Sequence, residues 1–206
     1  MYGPGSHGLF APKSDFMSIS LLVLGIGSFL FHASLRHSLQ FADELAMLGL
    51  TWSLLQGALT ARQSPTKARL ISMSLTLVFP LCSAFYIWTG KIIYHATIFA
   101  AMLGLLILRG YYLLHWIQAE FPGFKRDRWR AQEQKAIFIT LFGYILWNID
   151  LEYCVELREL RNRVGLPWAW LLELHGWWHL LTAFSASQCM DIVREVHEEL
   201  RSEKEE

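Results

Sequence analysis

The sequence predicts an all-α fold, a polytopic bundle of transmembrane helices with six spans. Three observations carry that expectation. Charged residues make up 17% of the 206 and apolar ones 53%, whereas a soluble domain carries roughly a quarter charged residues. The charge gathers in short blocks, "KSD", "ARQSPTKAR", "GFKRDRWRAQEQK", "ELRELRNR" and the tail "REVHEELRSEKEE", with apolar stretches between them. Those stretches are close to the ~20 residues that a helix needs to cross a bilayer. They lack the alternation of a membrane barrel strand, so the backbone hydrogen bonds must close within helices.

In chain order, the first span is expected near 16–35, "FMSISLLVLGIGSFLFHASL". The segment before it, "MYGPGSHGLFAPKSD", has no apolar core of a cleavable signal, so the first span is expected to act as its own insertion signal. The second, near 43–60, is the weakest of the six. The third and fourth are expected near 68–88 and 92–114, the fourth with Arg109 inside it, and the fifth and sixth near 136–155 and 167–190. Residues 191–206 read as the solvated, fraying end of the last helix. No internal repeat divides the chain, and a single transmembrane domain over 1–206 is expected. Cys82, Cys154 and Cys189 lie in or beside apolar stretches without CxxC spacing, which argues against a disulfide framework or a thiolate metal site and for packing roles.

Lysine and arginine in short loops mark the cytosolic side. Six spans put both termini on one face, and that face holds twelve such residues, from Lys13 to Lys204. The other holds five, namely Arg36, Lys91, Arg158, Arg161 and Arg163. Both termini are therefore expected in the cytosol. With that orientation His32 lies about a turn from the non-cytosolic face. Asp43, at the start of the second span, lies near the same face, and His175 and His179 lie two to three turns in on the sixth.

His175 and His179 are four positions apart in "LLELHGWWHLL", so a helix presents both on one face. Catalytic zinc takes three protein nitrogens or oxygens and keeps one position for water. His32 is the expected third ligand. Ser28 lies one turn before it and Asp43 eleven residues after it. A single intramembrane histidine often does no more than hydrogen-bond a neighbouring helix. Two at this spacing, with a third and an acid at matching depth, favour a site, because each ionisable group costs about 2.5–3.5 kcal/mol at the bilayer centre.

Other candidates have plainer readings. His7, His37 and His115 lie near interfaces and His197 on the charged tail, where water satisfies them. His95 lacks a partner four residues on and reads as a supporting or structural group. Asn148, Asp150 and Glu152 end the fifth span on the same side, where they either fix the tautomer of a ligand histidine or simply finish an interfacial helix. Trp147, Trp168, Trp170, Trp177 and Trp178 read as an aromatic belt.

The segments "GSFLFHASLRHSLQFADEL", "FGYILWNID" and "LLELHGWWHLLTAFSA" closely resemble the alkaline ceramidase family of integral membrane amidases. That family belongs to a wider superfamily of seven-span proteins, including adiponectin and progestin receptors, which shares a Ser-x3-His, an Asp and a His-x3-His pattern. The resemblance runs from about residue 20 to about residue 190. It implies that His32, His175 and His179 bind zinc, with Ser28 and Asp43 beside the zinc water. It further implies that the substrate is ceramide, cleaved at its amide to a sphingoid base and a fatty acid. An endoplasmic reticulum or Golgi membrane is the expected location, with ceramide and membrane lipids as partners and no nucleic acid.

Family members normally begin with an acidic, tryptophan-containing calcium site and one additional helix. Here 27 residues precede Ser28, and Asp15 is the sole acid among them. The expectation is therefore that the calcium site is missing and that the six spans correspond to the last six of seven. Two other classes are weighed. One is a non-catalytic, receptor-like lipid-binding protein with a structural zinc, and the other is a transporter or bis-histidine haem protein.

Overall fold

The computed structural model describes residues 15–116, 121 and 123–202, and among these it contains helices and no strand. The expectations placed on residues 1–14, including Lys13 and the segment ahead of the first span, and on the tip of the tail at 203–206 lie outside the described residues. The chain forms two compact units, Met1–Arg109 and Gly110–Glu206.

In the first unit, helix α1 spans Phe16–Ser34. Asp15 caps it by accepting from the Ser18 amide at 2.8 Å, which satisfies one of the donors a helix start leaves open. Leu35, in the left-handed region with φ 54°, ends it by returning its N–H to Phe31. Only Leu35 and Arg36 separate α1 from α2, His37–Thr60, and so short a link makes the two helices neighbours. They approach closely at Gly27, where an added Cβ would lie 3.5 Å from the Ala42 carbonyl oxygen. Helix α3, Pro65–Thr89, starts with Ser64 as N-cap and Pro65 in its first turn, and stops at Gly90 with φ 63°. Helix α4 runs Ile92–Tyr111 and continues as a π-helical turn, Tyr112–Trp116.

Helix α2 is the core of this unit. Leu48, Leu54, Leu55 and Ala58 are buried along it, together with Asp43, Glu44, Thr51 and Ser53. The outward faces of α1 and α3 are apolar instead, with Leu22, Phe29, Leu70 and Leu77 all exposed. Polar inside and apolar outside is the distribution a lipid solvent selects. It also accounts for the weak second span, since α2 carries the polar side chains that the other helices cover. Arg109 has a definite function in the apolar stretch. Its Nε donates to the Ala58 carbonyl at 3.1 Å and its Nη2 to that of Ala61 at 2.9 Å, closing the end of α2 where carbonyls lack intrahelical donors.

In the second unit, helix α5 spans Gly123–Glu152 and α7 spans Leu174–Ser202. The buried face of α5 carries Trp129, Ala136 and Gly143, and that of α7 carries Trp178 and Ser185. This is the seven-residue spacing of helices crossing at a shallow angle. Small side chains let the backbones approach, and the Ser185 hydroxyl donates to the Ala136 carbonyl at 2.8 Å while meeting Thr140 Oγ1 at 2.6 Å. At one end Lys125 pairs with Glu199 and Arg128 with Glu195. Trp129 Nε1 also donates to Glu195, at 2.6 Å.

Two of the charged blocks that lie between the expected spans are helical. "GFKRDRWRAQEQK" forms the first turns of α5, where its cations meet the acids of α7. "ELRELRNR" lies in helix α6, Cys154–Val164, bent 90° from α5, whose charged residues flank a stripe of Leu157, Leu160 and Val164 at helical spacing. The start of the sixth span is interrupted too. Gly165 has φ 70° and Pro167 precedes a 3-10 turn, Trp168–Leu172, before α7 begins.

Three helical runs among the described residues are long and apolar enough to cross a membrane, namely α1, α3 and Ile92–Trp116. The bent pair α5–α6 adds a fourth if it is one span. The chain is thus a helical integral membrane protein. The three cysteines are unpaired and half-buried.

Candidate functional site

Each unit assembles part of the expected site. In the first, the two-residue link sets the last turn of α1 against the second turn of α2. His32 Nε2 lies 3.9 Å from Asp43 Oδ2, the imidazole side chain 37% exposed and the carboxylate 8%. Ser28, one turn before His32, hydrogen-bonds Asp43 through its hydroxyl. The other carboxylate oxygen, Oδ1, is buried without a hydrogen-bond partner among the described residues. A buried carboxylate oxygen left open is costly, and such exceptions mark places where an ion, water or substrate group belongs.

In the second unit, Nε2 of His175 and Nε2 of His179 lie 3.0 Å apart, with the rings at 81°. A hydrogen bond between them needs one ring to carry its proton on Nε2. Two ring nitrogens aimed at one place are also what a shared cation requires. The pair occupies the first and second turns of α7, nearer the helix start than the expected two to three turns, because Gly165 and Pro167 delay that start. Arg161 of α6 holds the delayed turn, its Nη1 lying 2.7 Å from Glu173 Oε2 and 3.4 Å from the Leu172 carbonyl. Trp177 Nε1 adds a hydrogen bond to the Leu171 carbonyl at 3.1 Å.

The lesser candidates divide. His95 is buried, and its Nε2 lies 3.0 Å from the Glu44 main-chain oxygen, a structural role of the kind expected. His37 packs edge-on against Phe41, and His115 stacks on Tyr111. Asn148 spends its amide on the Tyr144 carbonyl of its own helix, so it orients no histidine with that group. Trp178 departs from the aromatic-belt reading. It is 6% exposed and stacks on Trp147 with centroids 5.7 Å apart, so it is a packing residue between α5 and α7.

Sequence reasoning passed over one cluster beside Asp43. The Glu44 carboxylate accepts from the Tyr86 hydroxyl and from Gln40 Nε2, the latter at 3.0 Å. Tyr86 is 42 residues away in sequence, and nothing in its local pattern signals the contact.

A family model described as Ceramidase matches residues 8–206. Alkaline ceramidase 3 of Mus musculus is 25% identical over 169 residues, covering 82% of this chain and 60% of that protein. Alkaline ceramidase YPC1 of Saccharomyces cerevisiae is 31% identical over 173 residues, covering 78% of this chain and 54% of that protein. The chain thus spans somewhat over half the length of these curated relatives.

Proposed function

The chain belongs to the ceramidase family, and from that premise we propose that it is a zinc-dependent intramembrane amidase that hydrolyses ceramide to a sphingoid base and a free fatty acid. The observation that carries the reading is the convergence of His175 and His179 on one point through their Nε2 atoms. The names of the two relatives support the substrate class.

The donor set fits zinc. Imidazole nitrogens are its common ligands, three of them leave one position open, and Asp43 Oδ1, which has no hydrogen-bond partner among the described residues, supplies an acceptor beside His32. His32, His175 and His179 would hold the ion. Zinc, when bound, polarises the amide carbonyl and lowers the pKa of water towards ~7.

The chain's own groups manage the proton. Asp43 takes it from the attacking water as the new C–O bond forms, then delivers it to the amide nitrogen as the C–N bond breaks. The products are a carboxylic acid and an amine, so the step balances with water alone. The Ser28 hydroxyl, bonded to Asp43 in the resting arrangement, orients that carboxylate. Once released it can donate to the carbonyl oxygen as that atom gains charge.

The proposal includes one transmembrane domain over 1–206 with six spans, α2 and α7 being the second and sixth. Both termini lie in the cytosol, as the lysine and arginine distribution favours, in an endoplasmic reticulum or Golgi membrane. The test is product analysis. Purified chain incubated with a ceramide of defined acyl length should release equal amounts of that fatty acid and the sphingoid base. Tight zinc binding without either product would favour a non-catalytic, lipid-binding relative.

A further inference from the structure

Asp43 and Glu44 are adjacent, and on an α-helix adjacent side chains point about 100° apart. Asp43 faces His32 of α1. Glu44 is anchored to α2, α3 and α4 together. Gln40 Nε2 donates to its Oε1 from one turn earlier on α2, and the Tyr86 hydroxyl of α3 donates to its Oε2. His95 Nε2 of α4 lies 3.0 Å from its main-chain oxygen. That oxygen can only accept, so His95 carries its proton on Nε2 and donates it. Tyr86 is 2% exposed and His95 6%, and their rings lie 5.5 Å apart. These contacts are buried, and so are stronger and more directional than they would be in water.

We propose that Glu44 is a positioning residue for Asp43: by fixing the roll of α2 against Tyr86 and His95, it holds the Asp43 carboxylate at the face of α1 that carries His32 and Ser28. The inference rests on the ceramidase reading, because Asp43 is the group positioned. Its scale follows from helix geometry. A side-chain tip lies about 5–6 Å from the helix axis, so a roll of ~10° moves the carboxylate by ~1 Å. Displacement of a reacting group by about that much can cost ~100-fold in rate.

The experiment uses the full chain, zinc-loaded in detergent, with Glu44→Ala, Glu44→Gln, Tyr86→Phe, Asp43→Asn and the Glu44→Ala/Asp43→Asn double variant. Glu44→Ala and Tyr86→Phe should lower kcat for a fluorescent ceramide by about 10- to 100-fold with KM changed by less than ~3-fold. Glu44→Gln should stay within ~3-fold of wild type, since its amide oxygen still accepts from Tyr86 while Gln40 turns its own amide. Glu44→Ala should cost nothing further in the Asp43→Asn background.

Glu44→Ala and Tyr86→Phe proteins as active as wild type beside an inactive Asp43→Asn would overturn the inference and leave the ceramidase reading intact. An undiminished Glu44→Ala loss in the double variant would overturn it equally. Fully active Asp43→Asn would overturn the ceramidase role of Asp43 instead. A readout independent of turnover is the visible absorption of the cobalt-substituted chain. Glu44→Ala should reproduce the spectral shift caused by Asp43→Asn and Glu44→Gln should not. A Glu44→Ala spectrum identical to wild type would overturn the inference. If Glu44→Ala fails to fold, Tyr86→Phe, which loses one hydroxyl, carries the same comparisons.

Discussion

Gly143 is a tight point between α5 and α7. A Cβ there would lie 3.2 Å from Trp178 Cε3 and 3.3 Å from Leu181 Cβ. Carbon atoms prefer about 3.5–4.0 Å, so alanine asks the helices to part by a few tenths of an ångström. Leucine adds three more carbons to the same gap. Overpacking costs ~1–3 kcal/mol, with Gly143→Ala at the low end and Gly143→Leu at the high end. For a chain of this size each kcal/mol moves the unfolding midpoint by about 2–4 °C, so Gly143→Leu should melt about 6–12 °C below wild type. The effect should also reach the site, because Trp178 immediately precedes His179 and its stack on Trp147 is what the new side chain displaces. Gly143→Leu is therefore expected to bind zinc more weakly as well. Thermal unfolding in detergent, followed by tryptophan fluorescence and paired with a zinc titration, measures both. A Gly143→Leu midpoint equal to that of wild type would refute the α5–α7 contact and the link from packing to metal.

Arg109→Met removes two charge-assisted hydrogen bonds of about 1.5–3 kcal/mol each together with the about 2.5–3.5 kcal/mol cost of a charge in an apolar stretch. A net loss of ~1–2 kcal/mol is expected as a lowered midpoint, and a raised midpoint would show that the cap on α2 is not stabilising. His175→Ala should empty the metal site. A full equivalent of tightly bound zinc in that variant, by metal analysis, would exclude His175 as a ligand. Asp43→Asn should keep zinc and lose about 10²- to 10⁴-fold in turnover, and unchanged hydrolysis would remove Asp43 from the proton path.

The helices that face outward were legible because their sequence is predominantly apolar, as in α1 and α3. Helix α2 was harder to read for a physical reason: it is central, and its buried Asp43, Glu44, Thr51 and Ser53 dilute the signal that a lipid-facing helix displays. Charge density hid α6 and the start of α5. Lys125 and Arg128 look like loop residues until Glu199 and Glu195 are seen opposite them, a pairing across some seventy positions that no local window contains. The histidines fared better. Spacing of four on a helix is a local property, so the approach of His175 to His179 could be anticipated. His32 and Asp43 were within reach of one another because only a short link separates their helices. The Tyr86–Glu44 contact joins α3 to α2 through tertiary packing alone, and Trp178 looked interfacial until its partner Trp147 was in view.

The central claim is tested most directly by ceramide hydrolysis as a function of metal. The purified chain is stripped with a strong chelator, assayed for fatty acid release, and then titrated with zinc. The account predicts that stripping abolishes hydrolysis and that zinc restores it, with activity saturating at one ion per chain. Hydrolysis that survives complete removal of the metal, or none from the zinc-saturated protein, would contradict it.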